Sequence, residues 1–83
     1  MEHIARTPKQ IGQTVKRFRK LQKRTQTELG SLTNLRQATI SSLENGDPGT
    51  QLRTLSEVLS ALNLELVIRA RTSSDDTAME DIF

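Results

Sequence analysis

The chain has 83 residues, a formal net charge of +2 and no cysteine. A domain of this size buries only about 60% of the surface that its unfolded chain exposes, so dimerisation is expected to supply further core. Without cysteine there are no disulfides and no thiolate metal sites, and His3 is the one histidine. The sequence therefore predicts no metal site, no cofactor and no enzyme activity.

The net charge conceals an asymmetry along the chain. All 12 basic residues lie between Arg6 and Arg71, and residues 1–71 hold six acidic residues, so this body carries +6. Residues 72–83 carry four acidic side chains and no basic one. A basic body indicates a polyanionic partner. Because no signal peptide or stretch of roughly 20 apolar residues is present, a soluble, cytoplasmic protein is predicted.

The first predicted helix begins after Thr7. Thr7 is expected to cap it, Pro8 suits the first helical position, and Gln10 is expected to complete a capping box. The residues that recur at helical spacing are Ile11, Val15, Phe18 and Gln22, and Leu21 widens the apolar stripe. The pattern predicts an amphipathic helix with basic residues on its other faces.

Two short helices follow. Thr25 and Glu28 form a second capping box, which places the start of the next helix near residue 26. Asn34 is expected to end it in a left-handed conformation, with Leu35 buried in the turn. A third helix is predicted over about residues 37–45, with Gly46 ending it.

A fourth helix and a strand complete the predicted elements. Thr50 is expected to cap a helix over residues 51–62, whose apolar face comprises Leu52, Leu55, Val58, Leu59 and Leu62. Residues 64–70 then alternate in the manner of a strand, with Leu64, Leu66, Ile68 and Ala70 on one side and Glu65, Val67 and Arg69 on the other. A single strand leaves an open edge, so pairing with the same strand of a second copy is predicted.

The two short helices have the length and turn of a helix-turn-helix. Residues Thr25-Gln26-Thr27-Glu28-Leu29, Ile40 and Leu43-Glu44-Asn45-Gly46 together resemble the Xre and lambda-repressor class of helix-turn-helix proteins. The resemblance covers about residues 11–64. It implies a mostly α fold, a compact lambda-repressor-like domain of four to five helices, with the C-terminal strand pairing across a homodimer.

Two positions depart from the class pattern. Gly30 stands where alanine is usual and still permits close helix contact. Arg36 stands where a Ser or Thr cap is common, and the missing cap is expected to cost about 1 kcal/mol. Residues Arg36-Gln37-Ala38-Thr39-Ile40-Ser41 and the terminal strand are most similar to the HipB-like antitoxins, a resemblance that implies a flexible tail and a HipA-like kinase toxin as partner.

In this class the third helix enters the major groove of DNA with its N-terminal end against the base edges. Gln37 would bind adenine through two hydrogen bonds, Arg36 suits guanine, and Ala38 offers a methyl contact to thymine. One of Ser41 and Ser42 would reach a base and the other a phosphate. The resemblance thus makes Arg36, Gln37, Ala38, Ser41 and Ser42 the candidate base-reading residues.

Other residues are candidates for phosphate contacts or structural roles. The first phosphate candidate is Gln26, at a helix start, and the resemblance adds Asn45. Weaker candidates are Lys16, Arg17, Lys20, Lys23 and Thr39. Alignment with the class pairs Arg19 with Glu44 in a structural ion pair. For each single lysine, an ordinary surface role is an equal alternative.

These predictions divide the chain into a flexible N-terminus (1–6), a DNA-binding and dimerisation domain (7–71) and a disordered acidic tail (72–83). Met79, Ile82 and Phe83 could dock the tail in a partner protein. The tail could equally be inert, or its acidic residues could fold back on the basic body. The sequence does not choose among these three.

The leading hypothesis is an antitoxin that represses its own operon as a dimer on an inverted-repeat operator, and binds a HipA-like kinase toxin. The first alternative is a stand-alone Xre-type regulator without a toxin. The second is a protein-interaction adaptor that uses the same fold without DNA, because fold alone does not determine function.

Overall fold

The computed structural model describes residues 2–71, which form four helices. They are α1 (Pro8–Leu21), α2 (Gln26–Thr33), α3 (Gln37–Glu44) and α4 (Leu52–Ala61). The predicted mostly helical architecture is confirmed. The third helix ends one residue earlier than predicted, because Asn45 is its C-cap.

The first two helices begin with side-chain caps. Thr7 Oγ1 accepts a hydrogen bond from the Gln10 N–H at 3.1 Å. The Gln10 side chain, however, accepts from the Arg6 N–H at 2.6 Å and not from Thr7, so the predicted capping box at α1 is only half formed. At α2 the box is complete, since Thr25 and Glu28 exchange both hydrogen bonds.

The fourth helix does not begin as predicted. Its N-cap is Gln51 and not Thr50, and Gln51 makes no side-chain cap hydrogen bond. The N–H of Thr50 instead bonds the Asp47 carbonyl at 3.2 Å, while the Asp47 carboxylate accepts from the Gly49 N–H at 2.8 Å. Thr50, which was predicted to cap this helix, thus belongs to the turn across residues 47–50, and α4 starts at Leu52.

A left-handed residue follows the end of each helix. Lys23, Asn34 and Asn63 have φ near +57° and Gly46 has φ +84°. Asparagine and glycine tolerate this conformation better than most residues. The predicted stops at Asn34 and Gly46 therefore occupy the backbone conformation that ends a helix.

The core lies where all four helices meet. Its buried members are Val15, Leu29, Ile40, Leu43, Leu55, Val58 and Leu62. Helix α3 packs against both α1 and α2, and α4 packs against α2. Leu35 is half-buried beside this cluster, where full burial was predicted.

Two leucines assigned to apolar faces are exposed instead. Leu21 is 60% exposed at the end of α1, and Leu52 is 74% exposed at the start of α4. Both lie in the terminal turn of their helix, where the neighbouring helices do not reach to cover them. Periodicity identified the correct face of each helix but not how far along the helix the core extends.

Residues 64–71 have no regular secondary structure in the described chain. A strand exists only when it is hydrogen-bonded to another, and no second extended segment pairs with this one within residues 2–71. Leu66, Val67 and Ile68 are exposed, Ile68 by 92%. The predicted strand and its pairing across a dimer therefore remain predictions.

The N-terminal and C-terminal segments border a groove along α1 and α4. Its volume is about 890 Å³, and its lining includes residues 2–6, Phe18, Leu59 and residues 63–71. The His3 ring meets Phe18 edge-on at 5.0 Å, and Arg69 Nη1 lies 3.2 Å from Glu2 Oε2. Among the described helices, none is long and apolar enough to cross a membrane. Across residues 2–71, His, Asp and Glu side chains form no cluster suited to a metal ion.

Candidate nucleic-acid interface

Helices α2 and α3 are joined by a tight turn. Asn34 is left-handed, and the Leu35 N–H bonds the Gly30 carbonyl at 2.9 Å. A Cβ on Gly30 would lie 2.7 Å from the Leu35 carbonyl oxygen, so the turn closes directly on the surface of α2. This contact holds the N-terminal end of α3 against the middle of α2 at Gly30.

Helix α3 has one buried and one open face. Ile40 and Leu43 are buried in the core. Among the base-reading candidates, Arg36, Gln37, Ala38 and Ser42 are exposed and Ser41 is half-buried. Arg36 is the N-cap of α3 and makes no side-chain cap hydrogen bond, so its guanidinium is not engaged in holding the helix start.

A buried ion pair joins α1 to the end of α3. Arg19 Nε lies 2.6 Å from Glu44 Oε2, and Arg19 Nη2 lies 3.0 Å from Glu44 Oε1. The third guanidinium nitrogen donates to the Arg24 carbonyl at 2.8 Å. The side chains are 8% and 2% exposed, so the pair has almost no contact with solvent. Such a bidentate pair fixes the position of α3 relative to α1.

Glu44 is also the first member of a chain of amide hydrogen bonds that reaches the surface. Gln26 Nε2 donates to Glu44 Oε1 at 3.1 Å, and Gln37 Nε2 lies 3.4 Å from Gln26 Oε1. The Thr27 hydroxyl lies 3.4 Å from Gln37 Oε1. We call Glu44, Gln26, Gln37 and Thr27 the amide relay. It joins the principal phosphate candidate to the principal base-reading candidate.

The remaining phosphate candidates are distributed around this relay. Thr39 is half-buried in α3 and Asn45 is exposed at its C-cap. Lys16 and Arg17 are exposed on α1, the helix that packs against α3. The first turn of α2 presents Gln26 and unpaired backbone N–H groups at the positive end of the helix dipole, an arrangement that suits a phosphate.

Two residues and one contact in and around the relay were not predicted from the sequence. Thr27 was not singled out, although its place one residue after Gln26 in α2 is readable from the capping box. The contact between Glu44 and Gln26 spans 18 positions, a separation that no local pattern encodes. Gly12 lies against the Leu43 and Glu44 carbonyls, with a Cβ there only 2.7 Å from Glu44 O, and its role needs the α1–α3 packing to be seen.

Other predicted site residues lie elsewhere. Leu64 is half-buried against the core, while Leu66, Val67 and Ile68 are exposed and line the groove along α1 and α4. Met79, Ile82 and Phe83 lie outside the described residues.

Comparison with known families agrees with this geometry. A family model described as a helix-turn-helix matches residues 15–68, from the middle of α1 to the C-terminal segment. The chain therefore belongs to the helix-turn-helix family, in its Xre-type branch.

Within that family the chain is similar to antitoxins. It is 39% identical over 62 residues to HigA2 of Mycobacterium tuberculosis, named as an antitoxin, over 74% of this chain and 61% of that protein. The chain thus spans about three fifths of the length of HigA2. It is 33% identical over 73 residues to the antitoxin HipB of Escherichia coli, over 87% of this chain and 78% of HipB.

Solved structures give the same relationship. The chain superimposes on HipB in a complex of a HipB variant with an O2 20mer, with a TM-score of 0.78 and 30% identity over 83% of this chain and 96% of that one. Against HipB in a HipA-HipB-O2-O3 complex the TM-score is 0.75, with 32% identity and the same coverage. The described fold is therefore HipB-like.

Proposed function

We propose that this chain is the DNA-binding antitoxin of a HipBA-like toxin–antitoxin system. As a cytoplasmic homodimer it binds an inverted-repeat operator, represses its own operon and binds a HipA-like kinase toxin. The observation that carries the DNA-binding part is the amide relay, which places Gln37 at the exposed start of α3 with its amide held by hydrogen bonds. The chain acts as a binding module, not as an enzyme.

Base readout is assigned to the open face of α3. Gln37 pairs with adenine through its carbonyl oxygen and amide nitrogen, Arg36 pairs with guanine, and Ala38 contacts a thymine methyl. Ser41 and Ser42 lie one turn further along the helix. Exposure of Arg36, Gln37 and Ala38, with Ile40 buried behind them, supports this assignment.

Phosphate contacts hold the protein in register on the DNA. Gln26 is assigned to one phosphate because it lies at the start of α2 and its amide faces the reading helix. Thr39, Asn45, Lys16 and Arg17 supply further contacts around it. The +6 charge of residues 1–71 supports binding to a polyanion.

Dimer formation is assigned to residues 64–71. Leu66, Val67 and Ile68 are consecutive exposed apolar residues beside a groove of about 890 Å³. Pairing of this segment with its copy would satisfy its backbone groups and cover these side chains. A dimer also fits an inverted repeat, because operator symmetry mirrors protein symmetry.

A toxin partner is supported by the relatives. HipB occurs in a complex with HipA and O2 and O3, and the present chain covers 96% of that HipB chain. The tail, residues 72–83, is assigned to toxin docking through Met79, Ile82 and Phe83. A stand-alone Xre-type regulator would share the fold and the relay but would not bind a HipA-like kinase.

The DNA-binding proposal is tested by fluorescence anisotropy with a duplex from upstream of this gene. The wild type is expected to bind it more tightly than an unrelated duplex, with affinity falling steeply as salt rises. Gln37→Ala is expected to weaken binding by about 1–3 kcal/mol. The control is Gln13→Ala, an exposed glutamine on α1. Equal binding of both duplexes by the wild type would contradict sequence-specific recognition and favour the adaptor.

The toxin proposal needs a separate measurement. The protein encoded by the adjacent reading frame is titrated, by calorimetry, into the full chain and into a chain ending at Arg71. If the tail docks in that protein, the protein is expected to bind the full chain more tightly than the shortened chain. Absence of binding to either chain would favour the stand-alone regulator.

A further inference from the structure

The amide relay is directional, because its innermost member can only accept hydrogen bonds. Glu44 is paired with Arg19 and is therefore a carboxylate, with acceptor oxygens and no donor. Gln26 must then turn its NH₂ group towards Glu44, 3.1 Å away, and its carbonyl oxygen towards α3. The buried ion pair thus decides which way round the Gln26 amide stands.

The same direction passes on to Gln37. Because Gln26 presents a carbonyl oxygen, Gln37 turns its NH₂ group towards Gln26 at 3.4 Å. Its own carbonyl oxygen then faces the Thr27 hydroxyl, which can rotate to donate, also at 3.4 Å. Each group of the Gln37 amide still has one unused hydrogen-bonding position, one N–H and one lone pair, for a base.

We infer that Glu44 is a positioning residue for base recognition, acting through Gln26 to fix the direction of the Gln37 amide. The inference rests on the proposed DNA binding through α3 and deepens it. Adenine presents an acceptor, N7, beside a donor, the N6 amino group, and an amide held in one direction matches that order. Guanine presents two acceptors, N7 and O6.

The relay therefore raises discrimination against guanine. A free amide could rotate to donate to guanine O6, but the held Gln37 amide would place its carbonyl oxygen against that acceptor. Rotation would also break the bonds to Gln26 and Thr27. An ion pair that is shielded from solvent thereby acts on the choice between two bases at the protein surface.

The test compares two variants that interrupt the relay at different points. Gln26→Met keeps the side-chain length and the ion pair but removes the amide. Arg19→Met/Glu44→Leu removes the ion pair as a unit, because apolar replacement of both partners avoids leaving one charge buried. Circular dichroism checks that each variant retains its helices. Lys16→Met, which removes an exposed charge of α1, is the control.

The first readout is the dissociation constant for a duplex in which guanine replaces one adenine, divided by that for the unchanged duplex. The base pair used is the one at which this replacement weakens binding of the wild type but not of Gln37→Ala. One bidentate amide–adenine pair supplies a preference for adenine of roughly tenfold or more. Both relay variants are expected to lower this ratio by about threefold or more. Lys16→Met is expected to weaken both duplexes alike. A ratio unchanged in both relay variants would overturn the inference while leaving DNA binding intact.

The second readout needs no DNA, so it separates this inference from the proposed function. In ¹⁵N–¹H spectra of the free protein, the side-chain amide signals of Gln37 are expected to shift in Arg19→Met/Glu44→Leu, although Gln37 touches neither residue. The Gln13 amide signals are expected to stay in place. If the Gln37 signals do not move, Glu44 does not act on Gln37 and the inference is wrong, whatever the DNA measurements show.

Discussion

At the scale of single residues, Glu44 combines two contacts with different consequences. Its carboxylate pairs with Arg19, and the Glu44 side chain is only 2% exposed. This buried pair fixes α3 on α1. The same carboxylate accepts from Gln26, which reaches the surface. Removing Glu44 alone would leave Arg19 buried without its counter-charge, an effect that commonly costs about 3–5 kcal/mol. Only paired replacement therefore isolates the second role.

Glu28 yields a prediction on pH at the same scale. Hydrogen bonds from the Thr25 backbone N–H and hydroxyl, with the nearby Arg24 charge, lower the pKa of Glu28 below its ordinary value of 4.5. Because the folded chain holds the lower pKa, this stabilisation is present above pH 4.5 and is lost as the pH falls through the folded pKa.

Acid unfolding followed by circular dichroism is expected to show a smaller loss of stability below pH 4.5 in Glu28→Gln than in the wild type. In Thr25→Ala the pKa of Glu28, measured by NMR titration, is expected to move back towards its ordinary value. A Glu28 pKa at or above 4.5 in the wild type would contradict the capping contribution.

At the scale of elements, the contact between α1 and α3 depends on Gly12. A Cβ there would lie 2.7 Å from the Glu44 carbonyl oxygen, and backbone cannot move aside as a flexible side chain can. Gly12→Ala is expected to lower the free energy of unfolding by about 1–3 kcal/mol, even though alanine favours a helix over glycine by roughly 0.5–1 kcal/mol. Urea denaturation measures the change, with Gln13→Ala as the neighbouring control. A stabilised Gly12→Ala would show that α1 and α3 can separate at no cost.

Helix α3 lacks a side-chain cap because Arg36 stands at its N-cap. Arg36→Ser is expected to raise the free energy of unfolding by about 1 kcal/mol by supplying an acceptor for the first turn. The same variant is expected to bind operator DNA more weakly, since the side chain proposed to bind guanine is lost. Arg36→Ala is the matched control: affinity falls equally and stability does not rise. Unchanged affinity in both variants would assign Arg36 no part in DNA binding.

At the scale of the whole molecule, the C-terminal segment leaves apolar surface uncovered. Ile68 is 92% exposed and lies in the run proposed to pair across a dimer. Ile68→Lys is expected to shift the chain from dimer to monomer in sedimentation equilibrium. It is also expected to make the thermal midpoint less dependent on concentration. The control is Leu52→Lys, which alters another exposed leucine, on α4. A chain that remains dimeric with Ile68→Lys would place the dimer contact elsewhere.

The four helices could be predicted from the sequence alone, because capping and helical periodicity are local properties. Thr7, Thr25, Asn34 and Gly46 mark helix ends by backbone chemistry that needs no knowledge of the fold. The spacing of Leu29, Ile40 and the residues after it was also sufficient to indicate a helix-turn-helix, which the family match confirms.

The contacts between helices became visible only in the packed structure. Local patterns could not show that Leu21 and Leu52 extend past the core, since each occupies the apolar side of its own helix. They could not place Gln26 against Glu44, or Gly12 against the end of α3, because these contacts join residues 18 or more positions apart and exist only after the helices pack. Whether an amide at the surface is free or held is therefore a property of the assembled fold, and the amide of Gln37, the proposed base-reading residue, is held.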